Sequence, residues 1–141
     1  MRLKLLVLLT LLLLLPTLTL AEIMTVSFSG TEMRSASKVV TKVATFIPLE
    51  VLEKGAEYYK VEDYRGRTGW VHRSLLSSKP GIVVTGDLAN VRRGPGTNHP
   101  VIFQLSKGDS CRLLSKQEKW LEVQSADGRK GWVADFLTWG R

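Results

Sequence analysis

The segment Arg65-Gly66-Arg67-Thr68-Gly69-Trp70-Val71 returns 62 residues later as Asp127-Gly128-Arg129-Lys130-Gly131-Trp132-Val133. No other feature constrains the fold as much, because a repeat of this period demands two copies of one small structure. The same offset pairs Tyr58 with Trp120, Val61 with Val123, Val51-Leu52 with Leu113-Leu114, Lys54 with Lys116 and Leu75 with Leu137. Upstream, Met33-Arg34 matches Val91-Arg92 at an offset of 58, so copy two carries four more residues between these points. They fall in Gly94-Pro95-Gly96-Thr97-Asn98-His99-Pro100, which has the composition of a loop. Four residues added to a surface loop cost little closure entropy.

Each copy reads as short strands separated by turn signals. In copy two, Gly81–Thr85 is a continuous apolar run, and Leu88, Asn90 and Arg92 alternate with Ala89 and Val91 as in a half-buried strand. Asp109–Ser115, Trp120–Ser125 and Arg129–Ala134 follow, with a polar turn at Lys116-Gln117-Glu118-Lys119 and a hairpin turn at Ala126-Asp127-Gly128. Copy one repeats the pattern with Ile23–Phe28, Ile47–Leu52, Tyr58–Glu62 and Thr68–His72, and turns at Tyr64-Arg65-Gly66. The pairs Leu75-Leu76 and Phe136-Leu137 fit single helical turns, and no longer helical period follows Ala21. Ser77-Ser78-Lys79-Pro80-Gly81 reads as the linker. Five short strands in about sixty residues predict a small barrel, which leaves no open edge. The expectation is therefore an all-β chain: two tandem barrels at 22–78 and 80–141, behind a leader at 1–21. Units of about 60 residues are marginal alone, so docking of the two would stabilise both.

The leader reads as a cleaved signal peptide. Arg2 and Lys4 precede the apolar Leu5–Leu15, Pro16 breaks the helix, and Thr19 and Ala21 are small residues before Glu22. A retained anchor would need about 20 apolar residues, and Pro16, Thr17 and Thr19 interrupt the run. Removing Arg2 and Lys4 leaves 18 basic residues against 13 acidic ones, a net charge of +5. That excess favours anionic partners. Outside the cytoplasm those are cell-wall polymers, acidic lipids or acidic proteins, and not nucleic acid. Cys111 is the only cysteine, so no intramolecular disulfide forms, and its strand-like neighbours predict burial.

Copy two resembles the bacterial SH3 domain family over nearly its full length. The matching pieces are Ala89-Asn90-Val91-Arg92-Arg93-Gly94-Pro95-Gly96, Leu105-Ser106-Lys107-Gly108-Asp109, Trp120-Leu121-Glu122-Val123 and Asp127–Val133. Copy one resembles a diverged member, with Glu32-Met33-Arg34-Ser35-Ala36-Ser37 in place of the Asn-Val-Arg-x-Gly-Pro run but with its Gly69-Trp70-Val71 intact. The resemblance implies SH3-like barrels serving as non-catalytic modules, often attached to cell-wall enzymes and binding peptidoglycan or its peptides. It does not extend to the polyproline-binding kind, whose groove is lined with aromatic residues.

The candidate ligand-binding residues are Tyr58, Trp70, Asn90, Arg92, Trp120 and Trp132. Trp70 and Trp132 read first as core or edge plugs that fix the barrel, given how deeply tryptophan tends to be buried, and second as ligand platforms; the glycine before each lets a neighbour approach closely. Tyr58 and Trp120 suit either stacking on a ligand or packing across strands, with Tyr59 and Tyr64 adding to the copy-one cluster. Asn90 reads first as a pin for the Gly94–Pro100 loop and second as a partner of Arg92 on one face. His72 and His99 lack companions at ligand spacing, so no metal and no cofactor is expected. The readings of function are therefore binding of wall peptidoglycan, then an envelope protein–protein adaptor using the barrel-to-barrel face or a strand edge, and last a Cys111-dependent enzyme. The sequence leaves the oligomeric state open.

Overall fold

The computed structural model describes residues 20–140, so the expected leader lies, apart from Leu20 and Ala21, outside the described residues. Copy one forms β1 (Glu22–Val26), β2 (Thr31–Ser35), β3 (Lys38–Val43), β4 (Pro48–Lys54), β5 (Tyr58–Glu62), β6 (Thr68–His72) and β7 (Leu76–Ser77). Copy two forms β8 (Gly81–Val84), β9 (Leu88–Arg92), β10 (Val101–Ser106), β11 (Ser110–Gln117), β12 (Trp120–Gln124), β13 (Lys130–Ala134) and β14 (Thr138–Trp139). Single 3-10 turns at Arg73–Leu75 and Asp135–Leu137 precede the last strand of each copy. The two sheets have the orders β3-β2-β6-β5-β4-β1-β7 and β10-β9-β13-β12-β11-β8-β14, the same antiparallel topology twice.

Each sheet has seven strands, where the sequence reading names five in copy two and four in copy one, β2 being missed there as well. The extra long strands, β3 and β10, are sheet-edge strands with little alternation: most of their side chains are exposed. An edge strand packs only weakly on the core, so its sequence carries little period-2 signal. The other additions, β7 and β14, are two residues long. The polar turn expected at Lys116–Lys119 is tighter than its composition implies. Gln117 still pairs with Trp120, and the turn is made by Glu118, at a φ of 54°, and Lys119.

Elsewhere period 2 governs burial. In β13, Gly131 and Val133 face inward while Lys130, Trp132 and Ala134 face outward, and β6 repeats this with Gly69 and Val71. The glycines are required by close approach. A Cβ on Gly69 would lie 2.5 Å from Met33 Cγ, and one on Gly131 would lie 2.5 Å from Val91 Cγ1 and 2.9 Å from the Arg92 carbonyl oxygen. The β2–β6 and β9–β13 contacts thus pass directly over a backbone with no side chain.

The barrels share a seam. All four residues of β8 are buried, as a continuous apolar run predicts for a strand covered on both faces. Ile82 and Val84 belong to the core of barrel two. Val83 belongs to the core of barrel one, with Trp139 packed beside it. The Ser110 hydroxyl donates to the Thr45 carbonyl at 2.7 Å, and the buried Thr25 donates to Lys79 O in the linker at 2.7 Å. Gly81 sits so near the Phe46 carbonyl that a Cβ there would lie 2.5 Å from it. Part of the barrel-to-barrel face, offered with a strand edge as an adaptor surface, is thus packed by the chain itself.

Candidate functional site

The outer face of barrel one is built from three neighbouring strands. The register sets Tyr58 of β5 opposite His72 of β6, and Lys60 opposite Trp70. Trp70 is in turn paired with Arg34 of β2. Because Val61, Val71 and Met33 on these strands are fully buried, the alternate side chains share the opposite face. Arg34, Tyr58 and Trp70 line two adjoining clefts of about 410 and 420 Å3, one of which also takes in Glu32 and His72.

Trp70 is half-buried and lies outside the barrel-one core, which corrects the core half of the reading of it as a core or edge plug. Inward positions on β6 go to Gly69 and Val71, so the register turns Trp70 out. The same parity turns out Trp132 of barrel two. Tyr58 is 49% exposed and meets His72 edge to face with ring centroids 5.1 Å apart. His72 Nδ1 accepts the Ser74 N–H at 3.2 Å and lies 2.7 Å from Ser74 Oγ, which fixes the ring orientation. Arg34 pairs with Glu32 and donates to the Ser37 carbonyl at 3.0 Å. The cleft thus offers two aromatic faces beside a cation and an anion. Tyr59 and Tyr64 do not join it: both pack against the core of barrel one.

Barrel two carries the same scaffold with different side chains. Trp120 is paired with Ala134, and Glu122 with Trp132, so Ala134 and Glu122 stand where barrel one has His72 and Lys60. Trp132 is paired with Arg92. Arg92 Nη1 donates to the carbonyls of Thr97 at 3.1 Å and His99 at 3.0 Å. Arg92, and not Asn90, therefore pins the Gly94–Pro100 loop; Asn90 Oδ1 instead accepts a hydrogen bond from Gln104 across the strand pair at 2.8 Å. The six candidate residues thus divide between two faces. Barrel one brings together Tyr58 and Trp70, while Asn90, Arg92, Trp120 and Trp132 lie on outward positions of barrel two. Arg34, Glu32 and His72 were missed, although the 58-residue match of Arg34 to Arg92 was the signal that could have found the first of them.

Cys111 is fully buried in the core of barrel two. Burial, with a lesser contribution from Asp109, pushes its thiol up to about 12, so it is protonated at neutral pH. Among the described residues no group of three His, Cys, Asp or Glu side chains is placed to hold a metal ion, and no helix is long and apolar enough to cross a membrane.

The chain is 36% identical over 66 residues to a probable cell wall amidase LytH of Staphylococcus epidermidis, covering 46% of this chain and 23% of that protein. It is 31% identical over 64 residues to a putative N-acetylmuramoyl-L-alanine amidase, YrvJ, of Bacillus subtilis, covering 45% of this chain and 12% of that one. The chain therefore spans less than a quarter of the length of these relatives. Among solved structures, NlpC2 from Trichomonas vaginalis aligns over 86% of this chain and 49% of its own, with a TM-score of 0.39 and 10% identity. Residues 32–77 and 86–138 each match the bacterial SH3 domain, and the chain belongs to that family.

Proposed function

We propose that this protein is a non-catalytic binder of cell-wall peptidoglycan or its peptides, acting in the cell envelope through the outer faces of its barrels. The observation that carries this reading is the barrel-one cleft, where Tyr58 and Trp70 stand beside Arg34 and Glu32. Aromatic rings present an apolar body to the apolar side of a sugar or peptide while their polar edges stay wet. Arg34 matches a carboxylate with its planar fork, and Glu32 matches an amine. Short wall peptides carry both groups. The segment-length likeness to proteins named as wall amidases supports the same reading.

The test is co-sedimentation of the purified protein with peptidoglycan sacculi at low and moderate salt. Binding that resists salt and is lost in folded Trp70→Ala supports the barrel-one cleft. Loss in Trp120→Ala instead moves the site to barrel two. Binding that fades with salt reflects net charge alone, and protein left in the supernatant at both salts refutes the reading. One observation favours the adaptor reading as a second: edge strands β3 and β10 expose Val39, Val40, Val101 and Ile102, and such edges accept an extended segment by strand addition.

A further inference from the structure

Two clefts open along the seam between the barrels, and the repeat relates them. In the first, of about 370 Å3, Thr45 from the β3–β4 turn faces Ala126 and Asp127 from the β12–β13 hairpin. In the second, of about 690 Å3, Lys107 from the β10–β11 turn and Thr85 face Tyr64 and Arg65 from the β5–β6 hairpin. The 62-residue offset carries Thr45 onto Lys107, Tyr64 onto Ala126 and Arg65 onto Asp127. The backbone supports this mapping: Phe46 and Gly108 are both at positive φ, 68° and 90°, and so are Gly66 and Gly128, at 79° and 92°. Equivalent positions thus hold Thr, Ala and Asp in one cleft and Lys, Tyr and Arg in the other.

We propose that the second cleft binds a phosphate-type oxyanion, free or as a phosphodiester, held by both barrels at once. All four lining side chains are hydrogen-bond donors, two carry a full positive charge, and no carboxylate lines the cleft. Arg65 and Lys107 take no part in the ion pairs formed among the described residues. The carboxylate nearest in sequence to Arg65, Asp63, is committed to the backbone N–H groups of Arg65 and Arg67 and to Arg67 Nε. The Tyr64 hydroxyl faces Gly108, where a Cβ would lie 3.1 Å from it, and it forms no hydrogen bond with a described residue. Donors arriving from two sides suit a tetrahedral anion, whose oxygens point several ways, better than a planar carboxylate. The Arg65 fork spans two oxygens and Lys107 supplies a point charge. None of the exposed large apolar side chains lines the cleft, so nothing there would insert into a bilayer. Such a ligand ties the hairpin of one barrel to the turn of the other and tightens the seam.

The test titrates the purified protein with inorganic phosphate and with dimethyl phosphate at constant ionic strength, read by amide chemical shifts and calorimetry. Saturable binding is expected, with shifts centred on Tyr64, Arg65 and Lys107. Arg65→Gln and Lys107→Gln should each weaken it about tenfold, the loss of one charge-assisted hydrogen bond. Both residues are exposed, so the variants keep their fold, checked by an unchanged unfolding midpoint without phosphate. The paired control Lys38→Gln and Lys42→Gln, which removes two charges from the β3 edge, should bind as well as the parent. Dimethyl phosphate binding as tightly identifies a phosphodiester source; preference for inorganic phosphate identifies the free ion. No saturation, or equal weakening by the β3 control, overturns the proposal. Binding to phosphatidylglycerol vesicles with no response to either small phosphate also overturns it, in favour of a membrane surface. Trp70→Ala leaves this titration unchanged, so the result is independent of the wall-binding reading.

Discussion

Val83→Ala tests whether the barrels form one cooperative unit. Val83 belongs by sequence to barrel two but by packing to the core of barrel one, and it is fully buried. The substitution removes two methyl groups, about 1.6 kcal/mol at roughly 0.8 kcal/mol each. The void left behind adds about 1 kcal/mol at roughly 24 cal/mol per Å3 of a methyl-pair cavity. The sum, about 2.5 kcal/mol, should lower the unfolding midpoint by roughly 8–15 °C for a chain of this size. The assay is thermal and urea unfolding followed by tryptophan fluorescence, with amide hydrogen exchange to locate the loss. Exchange should accelerate in β1 and β6 of barrel one as well as in β8. Val84→Ala, which opens the core of barrel two, is the matched control. A Val83→Ala loss below about 0.5 kcal/mol, the range of ordinary surface changes, would refute the seam as a structural unit. So would faster exchange confined to barrel two.

Gly131→Ala should cost about 1–3 kcal/mol through overpacking, because its Cβ would meet the Arg92 carbonyl oxygen at 2.9 Å and backbone cannot step aside as a side chain can; an unchanged urea midpoint would contradict this. Cys111 should react with a thiol reagent only at the rate of unfolding, and fast labelling of the native protein would exclude its burial. Its raised thiol value means the folded state holds the proton more tightly. That stabilisation is complete below the unfolded thiol value of about 8.5 and is lost as pH climbs towards 12; Cys111→Val should be free of this alkaline decline, as unfolding midpoints across that window will show. The Asp127 carboxyl is held below its usual range by the Ser125 hydroxyl first, then by the Arg129 backbone N–H and guanidinium. Its contribution is present above the unfolded carboxylate value of about 3.9 and fades as pH falls through the folded value, so Asp127→Asn should flatten part of the acid branch of the midpoint-versus-pH curve.

The fold was legible where side chains must alternate or must all be buried. Gly81–Thr85 announced an apolar strand, and the alternation of Leu88, Asn90 and Arg92 with Ala89 and Val91 announced the inward positions of β9, because burial acts on every residue of such strands. The edge strands β3 and β10 were not legible, since one neighbour and scant core contact impose no period. The site was half legible. Aromatic spacing found Tyr58 and Trp70, but a burial tendency averaged over all tryptophans pointed inward, whereas the parity set by Gly69 and Val71 turned Trp70 outward. The seam clefts were invisible because they join residues from turns more than forty positions apart in sequence, Arg65 and Lys107, whose juxtaposition only docking creates.

The run Asn90–Gly96 is one of the pieces that carry the family likeness, and the geometry gives it a structural role. In barrel two the longer loop captures Arg92 through two carbonyls. In barrel one the turn between β2 and β3 is shorter by four residues, and the equivalent Arg34 lies on the rim of an aromatic cleft, paired with the neighbouring Glu32. Each arginine thus holds carbonyls of its own turn, Arg92 two of them and Arg34 one, and Arg34 adds an ion pair with Glu32 on the cleft rim. Duplication allows the two faces to differ: two barrels with one topology and a shared seam can keep a rigid partner for stability while the other face changes its charges. Lys60 and His72 of barrel one stand where barrel two has Glu122 and Ala134, all at outward positions on equivalent strands. Each difference alters what the face can bind and leaves the buried Val61–Val123 and Val71–Val133 pairs untouched.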